Sequence, residues 1–253
     1  MTALGAALAL LVGFVLGLLG GGGSVLTVPI LIYALHVPVK PAIATGLCVV
    51  GVVAFIGFLS HVRQRTVAVR VALIFGPFAV ATSYGAARIA KHIPPHVQLV
   101  LFALVGLAGS VMMFRGTFRK SSKTDVVAYE FTPDARNVTM LALQGVGVGL
   151  LTGLIGVGGG FLIVPALVLF QKLPMRLAVG TSLLVIAMNA LSGFAGYAGT
   201  VPIDWNLVMW FAGTAAIGSI IGTLVSKRVP QQRLRQVFGV LLIAVSLYVL
   251  YRR

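Results

Sequence analysis

Residues 17–31 read GLLGGGGSVLTVPIL. Four consecutive glycines interrupt an apolar run that otherwise suits a helix. Each glycine costs a helix interior roughly 1 kcal/mol against alanine, so the stretch predicts a break. The break recurs. Residues 153–167 read GLIGVGGGFLIVPAL and align with the first stretch without a gap, at an offset of about 136 residues. Pro38 then meets Pro174, Ala42 meets Ala178, Thr45 meets Thr181 and Ala54 meets Ala190. Gly57-Phe58 meets Gly193-Phe194, and further on Lys91 meets Lys227 and Pro94 meets Pro230. Roughly two positions in five agree between Gly13 and Phe58, more than shared hydrophobicity produces. The chain is a duplication: residues 1–116, a polar linker over 117–137, and residues 138–253.

Composition sets the class. Of 253 residues, 59% are hydrophobic and 9% charged, against about 25% charged in a soluble domain. Apolar runs of spanning length recur along the chain, which predicts an all-α, polytopic transmembrane protein. Continuous rather than alternating runs speak against a barrel. The N-terminus lacks a basic segment and reads as a retained first helix. The net charge of +15 sits between apolar runs, where membrane loops carry Lys and Arg, so no nucleic-acid partner is expected. The single cysteine, Cys48, lies inside an apolar run and reads as packing. The histidines lack metal spacing, so neither a metal site nor a cofactor is expected. No pattern of nucleophile, base and carboxylate supports an enzyme.

Each half divides into five apolar pieces, at about 3–19, 25–35, 42–60, 70–90 and 97–114, then about 139–155, 161–170, 177–197, 206–226 and 236–251. The second piece of each half is too short to cross a hydrocarbon core of about 30 Å. With the first piece it forms a re-entrant hairpin, two short spans or one broken helix; the sequence leaves the three open. The link 61–70 carries Arg63, Arg65 and Arg70, whereas its counterpart carries Asp204 and no Lys or Arg. Equivalent loops on opposite sides require an odd number of crossings per half, which a hairpin and two short spans satisfy equally and a single broken span does not; two inverted repeats follow, each a glycine-broken helix/hairpin plus three spanning helices. Arg70, Arg88, His61, Lys91 and His92 near helix ends read mostly as snorkelling side chains.

A glycine break leaves backbone N–H groups free at the start of the next helix, where the dipole favours an anion. The duplication supplies two such breaks. The expectation is that both face one small anion near the membrane centre. Candidate binding residues are Gly20, Gly22, Gly23 and Ser24 in the first break, and Gly156, Gly158, Gly159 and Gly160 in the second. Ser24 is placed to cap the following segment or to donate its hydroxyl to a ligand. Thr45, Thr181 and Ser182 offer hydroxyls, and Asn189 an amide that is costly inside a membrane unless paired.

The doubled pattern G-L-x-G-x-G-G-x-x-x-x-V-P, each time followed by P-x-x-x-A-x-x-T, resembles the sulfite exporter TauE/SafE family of membrane permeases. The resemblance covers nearly the whole chain. It implies a bacterial inner-membrane protein that moves sulfite, organosulfonates or similar small anions. The first motif departs at Gly21, where the second half has Val157, and at Ser24, where it has Gly160. No carboxylate lies inside an apolar piece, which argues against carboxylate-based proton coupling. The expected mechanism is alternating access with voltage-driven export; the alternative is cation-coupled uptake of a small organic or sulfur-containing anion. The bilayer and the anion are the expected partners, and oligomeric state is not readable.

Overall fold

The structure is a computed structural model that describes residues 3–90, 92–117, 134–155, 160–197, 199 and 201–251. Among them it is all helical. The helices are α1 (Ala3–Leu19), α2 (Gly22–Pro29, continued as a π-helix over Ile30–Ala34), α3 (Val39–Arg63), α4 (Val69–Ala90) and α5 (Pro95–Thr117). The second half repeats the order with α6 (Ala135–Ile155), α7 (Gly160–Leu169), α8 (Met175–Tyr197), α9 (Trp205–Ser226) and α10 (Gln231–Tyr251). Six of them, α3, α4, α6, α8, α9 and α10, are long and apolar enough to cross a membrane.

α2 folds back along α1. A side chain at Gly23 would lie 2.5 Å from the Val12 carbonyl oxygen and from the Leu16 backbone, which a single broken helix cannot bring together. With 8 α-helical and 5 π-helical residues, the returning arm is about 20 Å long at the helical rise. Pro29 sits inside this arm and lacks the N–H the α pattern needs. The chain answers by widening into the π-helix, where the Leu35 N–H reaches the Ile30 carbonyl at 3.1 Å. The arm ends with His36 at φ 55 and the Val37 N–H on the Leu31 carbonyl at 2.9 Å. α7 ends the same way, with Lys172 at φ 53 and the Leu173 N–H on Leu167 at 3.2 Å. The duplication therefore reaches down to the helix stops.

The halves exchange their first helices. α1 lies parallel on α9, with Gly13 against Ala215 and Gly17 against Ser219 and Thr223. α6 lies parallel on α4, with Gly149 against Ala79 and Gly153 against Ser83 and Ala87. These contacts map onto each other under the repeat offset. Small residues bring backbones close where dispersion rather than hydrophobic burial drives association. At the centre α3 and α8 cross in opposite directions. Gly57 faces Leu183, and Gly193 faces Leu47, again an equivalent pair. α5 and α10 also run antiparallel, with Gly106 against Ser246 and Gly239 against Phe114.

Following the chain, one pole holds the end of α1, the turn 64–68, the start of α8 and the end of α9. The other holds the end of α6, the start of α3 and the ends of α4 and α8. Each pole is tied by an equivalent cation. Arg176 donates to the Lys227 and Val229 carbonyls at 2.8 and 3.4 Å, and Lys40 to those of Ala90 and Ile93 at 3.3 and 3.1 Å. Each satisfies carbonyls left open where a helix stops.

Candidate functional site

The first break is built by Gly20. Its φ of +71 suits glycine, and its N–H closes α1 on the Leu16 carbonyl at 2.8 Å. A Cβ there would lie 2.7 Å from Ser182 Oγ, 3.2 Å from Val179 Cα and 3.3 Å from Val164 Cγ2. α2 begins at Gly22, after Gly21, with no side chain capping it. Ser24 is inside the helix: its buried hydroxyl donates to the Gly21 carbonyl at 2.7 Å. The expectation that Ser24 caps the helix fails because the helix starts two residues earlier. Gly22 and Gly23 press against α1 and Leu241, so these two glycines make the hairpin flush.

The start of α8 gathers the neighbours of this break. Val179 and Ser182 meet Gly20, and Gly180 packs on the Thr66 carbonyl and the His61 side chain. Thr181 Oγ1 accepts the Ala68 N–H at 2.9 Å, satisfying a donor at the entry to α4. Ser182 Oγ donates to the Val179 carbonyl of its own helix at 2.8 Å. Gly20, Thr181 and Ser182 are thus brought together.

Gly156, Gly158 and Gly159 lie outside the described residues; Gly160 opens α7. The flank of the second break is described. Gln98 Nε2 donates to the Leu154 carbonyl at 2.9 Å, to Tyr197 Oη at 3.2 Å and to the Ala90 carbonyl at 3.4 Å. The end of α6 therefore stands beside Tyr197, at the far end of α8 from Ser182. At the helical rise that is about 22 Å. A Cβ at Gly20 would also lie 3.3 Å from Val164 Cγ2, so the first break touches α7, the arm that follows the second break. Crossing α3 and α8 antiparallel leaves Gly20 by the start of α8 and the end of α6 by its last residues. Thr45, buried on α3, belongs to the second pole, next to Gly46, which packs on Val28 and Leu31.

Asn189 lies between the poles. It is fully buried, and neither its Nδ2 nor its Oδ1 has a hydrogen-bond partner. It sits one turn before Gly193, on the face that meets Leu47 and Ser83. Ser83 Oγ reaches only its backbone carbonyl, at 3.4 Å. Ser219, the repeat counterpart of Ser83, is likewise buried with its hydroxyl unpartnered beside Gly57. Orphaned polar groups in a membrane core cost free energy and mark functional positions.

Two residues escaped the reading of the sequence. His61 is buried rather than snorkelling, with 2% of its surface exposed; Arg70, Arg88 and His92 are exposed, as expected. Gln98 is the polar hub of the second pole. The only signal for His61 was its alignment with Tyr197; Gln98 aligns with Leu234 and had none. Among the described residues no group of three or more His, Cys, Asp or Glu could hold a metal ion.

The sulfite exporter TauE/SafE family model matches residues 5–249. A "Probable membrane transporter protein" of Xylella fastidiosa is 34% identical over 246 residues, covering 96% of this chain and 92% of that protein. The "Probable membrane transporter protein YdhB" of Bacillus subtilis is 26% identical over 87% of this chain and 89% of its own. The "Probable membrane transporter protein MJ0441" of Methanocaldococcus jannaschii is 26% identical over 96% and 94%. No solved structure matches the chain. The protein is a multi-pass membrane protein, and the chain belongs to the TauE/SafE sulfite exporter family of membrane transporters.

Proposed function

We propose that the protein exports small anions, sulfite or organosulfonates, across a bacterial inner membrane by alternating access. The observation that carries the reading is Asn189, an unpartnered buried amide beside the antiparallel crossing of two equivalent helices. A polar group so placed, with nothing of the protein to bond, suits a solute that comes and goes. The glycine breaks hold the anion by backbone N–H groups, with Asn189 on its path. The repeats are inverted across the membrane. Arg63, Arg65, Lys172, Arg176, Lys227 and Arg228 put the first pole in the cytoplasm. The site residues carry no fixed charge, so the anion crosses with its own. Leaving a negative-inside cell yields about 2.3 kcal/mol per charge per 100 mV, enough for about fiftyfold uphill export.

The test is efflux of sulfite or methanesulfonate from liposomes holding the purified protein. Efflux is expected to rise about tenfold or more on imposing an inside-negative potential of about 100 mV. Asn189→Leu, which removes the orphaned amide at similar volume, is expected to cut flux at least about tenfold while the protein stays folded. Equal flux at zero and large potential overturns voltage drive. Flux that follows a reversed sodium or proton gradient instead establishes cation-coupled uptake.

A further inference from the structure

His61 has no part in the reading above. Under the duplication its counterpart is Tyr197, and both are buried polar residues near the ends of equivalent helices. The two are used differently. Tyr197 Oη accepts from Gln98. His61 Nδ1 lies 2.8 Å from Thr66 Oγ1, while Nε2 is buried and has no hydrogen-bond partner. Imidazole changes charge between about pH 5 and 8, and a phenol does not. The first pole thus holds a titratable ring where the second holds a neutral one.

The charges around the ring are of one sign. The ring lies beside the backbone of Gly17, whose carbonyl accepts from Thr223 Oγ1 at 3.4 Å. α1 carries no charged residue. α9 closes on Lys227, and the only charged residue of α8 is Arg176, whose guanidinium is bonded to the Lys227 carbonyl. Arg63 follows on the same helix, Arg65 stands at φ 55 in the turn that covers the ring, and Arg70 opens α4. Among the described residues the carboxylates are Asp204, which caps α9 at the opposite pole, and Asp134, exposed before α6. An imidazolium at position 61 would find cations for neighbours and no counter-ion, an expensive state for a buried charge.

We propose that His61 is an anion-binding residue of the first pole, the transported oxyanion serving as counter-ion to its imidazolium at Nε2. The proposal rests on the export reading and deepens it. Gly20 and the His61 Cβ both border α8 at Val179–Gly180, so residue 61 and the glycine break flank the same turn of α8. The proton comes from the aqueous phase of that pole as the anion enters and returns there as the anion moves on. Proton and anion then strengthen each other's binding by the same factor. Tyr197 supplies no such coupling at the other pole, so the two mouths of a symmetric transporter hold the anion differently.

The test uses methanesulfonate, whose charge stays fixed, with detergent-purified full-length protein. Its dissociation constant is titrated by thermal shift at about pH 5.5 and about pH 8, which bracket imidazole titration. Wild type is expected to bind about tenfold tighter at the lower pH. His61→Gln and His61→Tyr are expected to lose that difference, and Tyr197→Phe to keep it. Should neither His61 variant fold, histidine NMR of the wild type decides: methanesulfonate must shift the His61 resonances toward imidazolium. A pH difference retained in either His61 variant, binding that ignores pH, no binding at either pH, or an unmoved His61 resonance overturns the proposal. Flux in liposomes alongside any of those results leaves the export reading standing. His61-dependent binding with no flux under any gradient overturns export and leaves the site.

Discussion

At the scale of single residues the structure separates glycines that a side chain would merely crowd from those whose backbone forbids one. Gly20 is both. Its φ of +71 puts an L side chain in the left-handed region, at about 1–2 kcal/mol, and a Cβ would sit 2.7 Å from Ser182 Oγ. Gly20→Ala is expected to cost about 2–3 kcal/mol in total. Ser182→Ala alone should cost less than about 1 kcal/mol, because the lost bond is a local one to Val179. The double variant should recover the crowding and not the backbone strain. A double-mutant cycle of unfolding by heat in detergent reads this as a coupling of about 0.5–1 kcal/mol. Additive effects would show that Ser182 yields at no cost. Asn189 and His61 belong to this scale too: each holds a buried polar atom without a hydrogen-bond partner, and each is proposed to meet the solute.

At the scale of elements, the two parallel helix pairs are held by equivalent glycine contacts. Gly13 meets the Ala215 backbone and Gly149 meets Ala79 and Thr82. Gly147 and Gly213 have nothing within 4 Å of where a Cβ would be. Gly13→Leu and Gly149→Leu are therefore expected to force α1 from α9 and α6 from α4, with loss of monodisperse protein on size exclusion. Gly147→Leu and Gly213→Leu should stay monodisperse, since each removes a helix-weakening glycine of roughly 1 kcal/mol into open space. If all four behaved alike, close helix approach would not be what these glycines provide. Gly145, Gly149 and Gly153 recur every four residues along α6, a spacing that names no partner by itself. The partner is α4 of the other half, a pairing set by the exchange of first helices.

At the scale of the whole molecule, antiparallel crossing of equivalent helices makes a definite claim about membrane sides. The turn 64–68 and the turn before α9 lie at opposite poles. Cys48 is buried and can be removed as Cys48→Ala to give a cysteine-free background. In intact cells a membrane-impermeant maleimide is expected to label Gly199→Cys and not Arg65→Cys; after permeabilisation both should react. Labelling of both from the same side would sink the inverted arrangement. Ser182 and Tyr197, toward the two ends of α8, are about 22 Å apart at the helical rise, and Asn189 lies between them.

Composition and repetition alone determined that this is a helical membrane protein made of two like halves, because hydropathy and self-similarity are local properties that survive without a fold. The glycine breaks were legible for the same reason: four glycines weaken a helix wherever it packs. The tertiary structure decided everything that depends on which helix lies beside which. It turned α2 back on α1, spent Ser24 and Thr181 on backbone groups, and left Asn189 and His61 buried with polar atoms unanswered. A sequence lists those donors and acceptors, but whether each finds a partner depends on the packed neighbours, for Thr181 and Asn189 on helices more than a hundred residues away.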